Sequence, residues 1–134
     1  MVVGVDAELD ESSVNVSHTE NIIVSQWREI SADEKHELRD KVDEILRPLG
    51  LQTRLVVMER ANSLALYFIC MTLSALMSLR DQWDSGQLRD IVQSLFTFLT
   101  GATRTVRVKK LIWPIVADYK RCSEFFTSLQ GKQI

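Results

Sequence analysis

Residues 61–79 read ANSLALYFICMTLSALMSL, and this stretch decides how the rest of the chain must be arranged. It contains no Lys, Arg, Asp or Glu over nineteen residues, and Arg60 and Arg80 close its two ends. A helix that is apolar on all sides belongs in the centre of a bundle, where neighbouring helices cover every face, or in a bilayer, where about 20 apolar residues are needed. The other apolar segments are shorter and two-faced, so they can supply those neighbours. We therefore interpret residues 61–79 as a buried central helix, with membrane insertion as the alternative.

Three further helices are predicted where apolar residues recur at intervals of three and four. The first spans residues 31–47, from a capping box that opens at Ser31 to the stop before Pro48. The second spans residues 84–101, from another capping box to a glycine suited to a left-handed cap. The third spans residues 113–131 with Pro114 in its first turn, where a proline is tolerated; an alternative begins it near residue 106 and lets Pro114 kink it. The widest apolar face belongs to the second helix and consists of Leu88, Ile91, Val92, Leu95, Phe96 and Leu99.

These patterns predict an all-α fold, a bundle of four to five helices around a central hydrophobic helix. The number depends on whether the central helix, extended back to about residue 54, bends near residue 62. Residues 1–26 are acidic, rich in Ser and Val and without a sustained period, so we predict a flexible acidic tail there. Residues 27–134 would form a single helical-bundle domain. Short strands at residues 51–58 and 103–112 stay open as alternatives, because both segments contain β-branched residues.

Composition and cysteine usage indicate the class of protein and its cellular compartment. The hydrophobic fraction of 46% and the charged fraction of 25% are typical of a globular protein. Two cysteines, Cys70 and Cys122, neither build a disulfide framework nor show metal-ligand spacing. The N-terminus lacks the basic and apolar regions of a signal peptide. We therefore expect an intracellular, cytoplasmic location, with membrane association as the alternative.

The formal net charge of −2 hides a gradient along the chain. Residues 1–50 hold 12 acidic and 5 basic residues, whereas residues 101–134 hold 2 acidic and 7 basic residues. The first part therefore carries −7 and the last part +5. Opposite charges of this kind can hold the two ends of one fold together, or join copies of the chain head to tail.

The sequence offers little to support an enzymatic reaction. His18 and His36 are the two histidines, and neither forms a recognisable grouping with a nucleophile and an acid. No three potential ligands cluster for a metal, and the glycine near the end lacks the loop that cradles phosphates. We therefore predict no catalytic residue, no metal site and no cofactor.

The most informative candidate for a binding site is a basic run formed by Arg104, Arg107, Lys109 and Lys110. Such a run can be a solvated loop, or it can bind an acidic protein surface, phosphates of nucleic acid or the anionic face of a membrane. The overall acidity of the chain disfavours nucleic acid. We predict a non-enzymatic helical protein–protein interaction module, an adaptor, scaffold or regulatory protein, that binds an acidic partner or another copy of itself. The alternative is a membrane-associated protein that uses residues 61–79. The predicted partner-binding residues are Arg104, Arg107, Lys109, Lys110, Trp113, Lys120 and Arg121.

Overall fold

Four strands and two pairs of consecutive helices follow one another in a computed structural model that describes residues 2–10, 15–60, 63–101 and 106–113. A short 3-10 helix, Arg47–Leu49, follows the second helix. In chain order the elements are β1 (Val2–Leu9), α1 (Val16–Ala32), α2 (Arg39–Leu46), β2 (Thr53–Arg60), β3 (Leu64–Cys70), α3 (Leu73–Ser85), α4 (Gln87–Leu99) and β4 (Val108–Ile112).

The described strands form one antiparallel sheet in the order β2-β3-β1-β4, so the predicted all-α bundle is wrong. β1 and β3 lie in the middle, and β2 and β4 are the edge strands. The inner face of the sheet shares one hydrophobic core with the helices. The outer face exposes apolar side chains of β1, β2 and β4. An antiparallel sheet tolerates this arrangement because one of its faces can meet water.

The stretch that was predicted to be one central helix is divided between a strand and a helix. Its first part is β3, whose inner-face residues Leu64, Leu66 and Phe68 are completely or almost completely buried. A short apolar run cannot be assigned to a strand or a helix from periodicity alone, and Tyr67, Phe68 and Ile69 favour the strand. Its second part is α3. Thr72 caps the start of this helix, because its side-chain oxygen accepts a hydrogen bond from the Ala75 amide at 3.1 Å. Among the described residues, none of the helices has the length and apolar content to cross a bilayer.

The predicted flexible acidic tail is also wrong, because residues 2–9 form a central strand and residues 16–26 belong to α1. Val3, Val5, Ala7 and Leu9 alternate into the core along β1. The intervening Asp and Glu residues lie on the outer face, which makes the segment look polar while its period is that of a strand. α1 follows, and the Asn15 side chain caps it by accepting a hydrogen bond from the His18 amide at 3.1 Å.

The predicted helix at residues 31–47 begins too early. Ser31 lies in the last turn of α1 rather than at a helix start, and α2 begins at Arg39. The guanidinium of Arg39 donates to the carbonyl oxygens of Ile30 and Ser31, at 3.5 and 3.3 Å. The Ile30 carbonyl also accepts a hydrogen bond from the Asp33 amide at 3.4 Å, so Arg39 adds a side-chain donor at the end of α1, where carbonyls run short of helical partners. The capping box was a local pattern that this tertiary contact overrides.

The apolar face predicted for residues 84–101 is confirmed, since all six of its residues are buried on α4. Its predicted capping box is wrong, because α3 continues to Ser85. Gly86, with φ of 87°, then ends α3 and begins α4. A glycine adopts this left-handed conformation without the steric cost that a side chain would add. The helix predicted at residues 113–131 lies outside the described residues apart from Trp113, which follows β4.

Candidate functional site

Three cationic side chains line one pocket of about 310 Å³ at the β4 edge of the sheet. Lys109 and Lys110 come from β4, and Arg89 comes from the first turn of α4. All three are exposed. We call these three residues the basic corner. Trp83 and the turn at Gly86 form part of the pocket wall.

An irregularity in strand pairing explains why two consecutive lysines both face solvent. Val108 pairs with Leu9, but Lys110 pairs with Glu8, so Lys109 is an extra residue opposite β1. Regular alternation would turn one of two adjacent side chains toward the core. The bulge removes that requirement because it leaves the extra residue unpaired and re-aims its side chain.

Two helix side chains hold β4 in place along its outer edge. The indole N–H of Trp83 donates to the carbonyl oxygen of Leu111 at 3.0 Å. The amide of Val108 donates to Oε1 of Gln93 at 3.0 Å. Both backbone groups would otherwise be available to another strand, so these contacts protect the edge against unwanted pairing. They also fix the strand that carries two of the three cations.

An aromatic cluster with a stacked arginine lies next to the same strand. The rings of Trp83 and Trp113 lie 5.8 Å apart at an interplanar angle of 43°. The Arg80 guanidinium lies over both rings, 4.4 Å from the Trp83 centroid and 5.5 Å from that of Trp113. Such stacking attracts a cation to the ring faces. Trp113 exposes 8% of its surface and contacts the Trp83 ring and the Arg80 guanidinium.

The electrostatic environment of the basic corner favours an anion. Within the described part of the chain, no carboxylate oxygen lies within 4.0 Å of a nitrogen of these three side chains. Asp84 lines the same pocket, and Glu8 stands opposite Lys110 in the sheet. Gly86 is both the C-terminal cap of α3 and the N-terminal cap of α4, so the partial charges of the two helix ends offset each other there and the positive charge of the corner comes from its three side chains. The corner can therefore bind a carboxylate or another anionic group.

The other predicted binding residues fall in different places. Arg107 is exposed between the buried Val106 and Val108, just before β4, and its carbonyl oxygen accepts a hydrogen bond from the Asp10 amide at 2.9 Å. It extends the positive surface without lining the pocket. Arg104, Lys120 and Arg121 lie outside the described residues. Sequence reasoning missed Arg89, because nothing in the chain order indicates that α4 begins beside β4.

The open outer face of the sheet is a second feature that sequence reasoning missed. Val2, Val57 and Ile112 expose 53%, 44% and 40% of their surface there. The Tyr67 hydroxyl on this face donates a hydrogen bond to the Glu59 carboxylate at 3.0 Å, and this bond raises the pKa of Tyr67. The alternation of apolar and polar residues over positions 2–9 was the signal that could have revealed the strand and its open face.

A buried carboxylate joins α1 to the end of β2. The Arg60 guanidinium lies 3.6 Å from the Glu20 carboxylate and also donates to Asn21 at 2.7 Å and to Ser17 at 3.0 Å. Burial raises the pKa of Glu20, and the Arg60 charge opposes that shift without cancelling it. The contacts tie two elements together, so we interpret this group as structural.

The part of the chain that the structure describes shows no cluster of side chains suited to catalysis or to metal binding. No set of three or more His, Cys, Asp or Glu side chains there could hold a metal ion. The His36 ring nitrogen Nδ1 accepts a hydrogen bond from the Leu38 amide at 3.1 Å, which stabilises the turn before α2. Comparison of the chain with protein-family models, with curated proteins and with solved structures gave no match.

Proposed function

We propose that this protein is a non-enzymatic protein–protein interaction module that binds an acidic segment of a partner through the basic corner. One observation carries the proposal: Arg89, Lys109 and Lys110 converge on one pocket, and no described carboxylate forms an ion pair with them. A carboxylate of the partner would supply the negative charge to pair with these three cations. Arg107 adds a further exposed cation on the same edge.

The strength of the interaction follows from the exposure of these charges. Each solvent-exposed ion pair contributes about 0–1 kcal/mol. Four such pairs would thus give at most about 4 kcal/mol, which corresponds to a Kd of about 1 mM. A functional complex therefore needs apolar contacts as well. Ile112, exposed by 40% two residues from Lys110, offers one on the outer face of the sheet.

The partner segment consequently combines carboxylates with at least one apolar side chain. The carboxylates would enter the basic corner, and the apolar side chain would cover Ile112. An adaptor or scaffold needs only such a surface, without reactive groups. Cysteine usage in the sequence supports an intracellular, cytoplasmic setting for this interaction.

Direct competition between ligand classes tests the proposal. A labelled peptide of about eight residues that combines Glu with Leu is titrated against the protein at about 50 mM and about 300 mM NaCl. Phosphatidylserine vesicles and a single-stranded RNA of similar charge are titrated in parallel. We expect the peptide to bind most tightly and to weaken with salt. Preferential binding to the vesicles or to the RNA would contradict a protein partner.

A further inference from the structure

A groove of about 620 Å³ runs between α2 and the outer edge of β2, at the side of the sheet opposite the basic corner. Four consecutive β2 residues, 53–56, line it, so the backbone edge of the strand itself forms one wall. Buried apolar side chains form its floor, among them Trp27, Val42 and Leu49. The groove thus combines a strand edge with an apolar surface.

The hydrogen-bond pattern shows which backbone groups face this groove. The Met71 amide donates to the Gln52 carbonyl oxygen at 2.8 Å, immediately before β2 pairs with β3. Residues of an antiparallel strand alternate between bonding to the neighbour and pointing away from it. Gln52 and Arg54 therefore bond to the β3 side, and Thr53 and Leu55 direct their amides toward the groove. The register shifts between Leu55 and Val57, which leaves Val56 as an extra residue, so the regularly paired part of this edge ends at Leu55.

The two edge strands differ in whether their outward backbone groups are hydrogen-bonded. On β4, the side chains of Trp83 and Gln93 occupy outward backbone groups. On β2, no described residue donates to or accepts from the outward groups of Thr53 and Leu55. Natural proteins usually block an exposed strand edge, because it pairs readily with another chain. An edge left open beside an apolar groove has the form of a site for strand addition.

The charges around the groove determine the chemistry of its occupant. Arg39, Arg47, Arg54 and Asp43 line it. Nε of Arg39 lies 3.8 Å from the Asp43 carboxylate, so these two charges offset each other. Arg47 and Arg54 remain as exposed cations without a carboxylate within 4.0 Å among the described residues. The groove therefore favours an acidic occupant.

We propose that the open edge of β2 binds an extended segment of a partner protein, with alternating apolar and acidic side chains, as an additional strand of the sheet. The apolar side chains face the groove on the side of Leu55, and the acidic side chains face outward beside Arg54. The segment pairs with Thr53 and Leu55 through backbone hydrogen bonds. The inference is independent of the basic corner, since it uses the opposite edge of the sheet. Together the two edges would let one chain bridge two partners.

Hydrogen exchange at single residues tests the backbone contacts. The probe is a peptide of alternating Val and Glu, about eight residues long, which spans roughly 26 Å when extended. We expect saturable binding and slower exchange of the Thr53 and Leu55 amides when the peptide is present. Absence of binding at millimolar peptide, or binding without added protection of these amides, would overturn the proposal.

Peptides with N-methyl groups separate strand addition from general adhesion. In antiparallel addition, the peptide residues opposite Thr53 and Leu55 are the apolar ones, and their N–H groups point at β2. Methylation of the Val amides should then weaken binding at least tenfold, and methylation of the Glu amides should leave it unchanged. Parallel addition reverses this pattern. Equal binding by both methylated peptides would rule out strand addition.

Two protein variants test the charge argument. Arg54→Glu changes an exposed outer-face residue, so the fold should be retained, and we expect binding of the Val–Glu peptide to weaken at least tenfold. Arg28→Glu, an exposed residue of α1 that does not line the groove, is the matched control and should bind as the wild type. Equal loss in both variants would refute a specific role for Arg54. Protection of Thr53 and Leu55 in a dimer without peptide would assign the edge to a second copy and overturn the proposal.

Discussion

The Trp83 indole N–H donates to the Leu111 carbonyl oxygen across 28 residues of chain, at a distance of 3.0 Å. This hydrogen bond fastens the edge strand β4 to α3. Because Lys109 and Lys110 precede Leu111 on that strand, the bond also fixes where they stand relative to Arg89 on α4. The basic corner therefore depends on a contact made by a residue that carries no charge.

Replacement of Trp83 by Phe should remove this hydrogen bond while keeping an aromatic ring over which Arg80 can stack. The buried Leu111 carbonyl would lose its partner, and such a loss costs about 1–3 kcal/mol. We expect the free energy of unfolding in urea to fall by that amount. A change below about 0.5 kcal/mol, the usual effect of a surface substitution, would show that the bond does not hold the strand.

Two valines of β1 provide a matched pair that tests the position of the N-terminal segment. Val5 is buried on the inner face of the sheet, whereas Val2 is exposed by 53% on the outer face. Val5→Ala should lower the free energy of unfolding by about 1.5–3 kcal/mol, because it deletes buried methyl groups. Val2→Ala should change it by less than about 0.5 kcal/mol. Small effects at both positions would mean that this segment is not part of the core.

The Glu20 carboxyl should make stability depend on pH. Its pKa is higher in the folded than in the unfolded chain, so its favourable contribution is complete below the unfolded pKa and is lost as the pH rises through the folded value. Gln cannot lose a proton, and Glu20→Gln should therefore gain stability relative to the wild type as the pH rises from the ordinary Glu pKa through the raised folded value.

Urea unfolding of both proteins at several pH values measures this gain. Glu29→Gln, an exposed carboxylate of the same helix, is the matched control. A stability difference between Glu20→Gln and the wild type that stays constant with pH, or that shrinks as pH rises, would contradict the raised pKa.

Local patterns predicted some elements of this fold and misassigned others. The apolar face of α4 was correctly identified, because six apolar residues at helical spacing leave no other regular structure. β3 was misassigned, because a central strand that is apolar on both faces resembles a segment of buried helix. β1 was missed, because the acidic composition of the segment was interpreted as that of a tail, although Asp6 and Glu8 alternate with the buried Val5 and Ala7.

The candidate site was predictable only in its charges. Lys109 and Lys110 could be named from the sequence, since a basic run is visible without a structure. Their convergence with Arg89 depends on the pairing of β4 with β1 and on a bulge in that pairing. Strand pairing joins residues far apart in sequence, and one residue of slip changes which side chains face outward. No local pattern in the chain specifies that register.

A titration of charge-reversed protein tests most directly whether the basic corner binds an acidic partner. The Glu–Leu peptide is titrated at about 50 mM NaCl against the wild type, against Lys109→Glu/Lys110→Glu and against Arg28→Glu/Lys35→Glu. The last variant changes the net charge by the same amount, at two exposed positions outside the corner. We predict at least tenfold weaker binding to Lys109→Glu/Lys110→Glu and a much smaller change for the control. Equal affinities of the two variants would show that net charge alone governs binding, and would contradict a specific site at the basic corner.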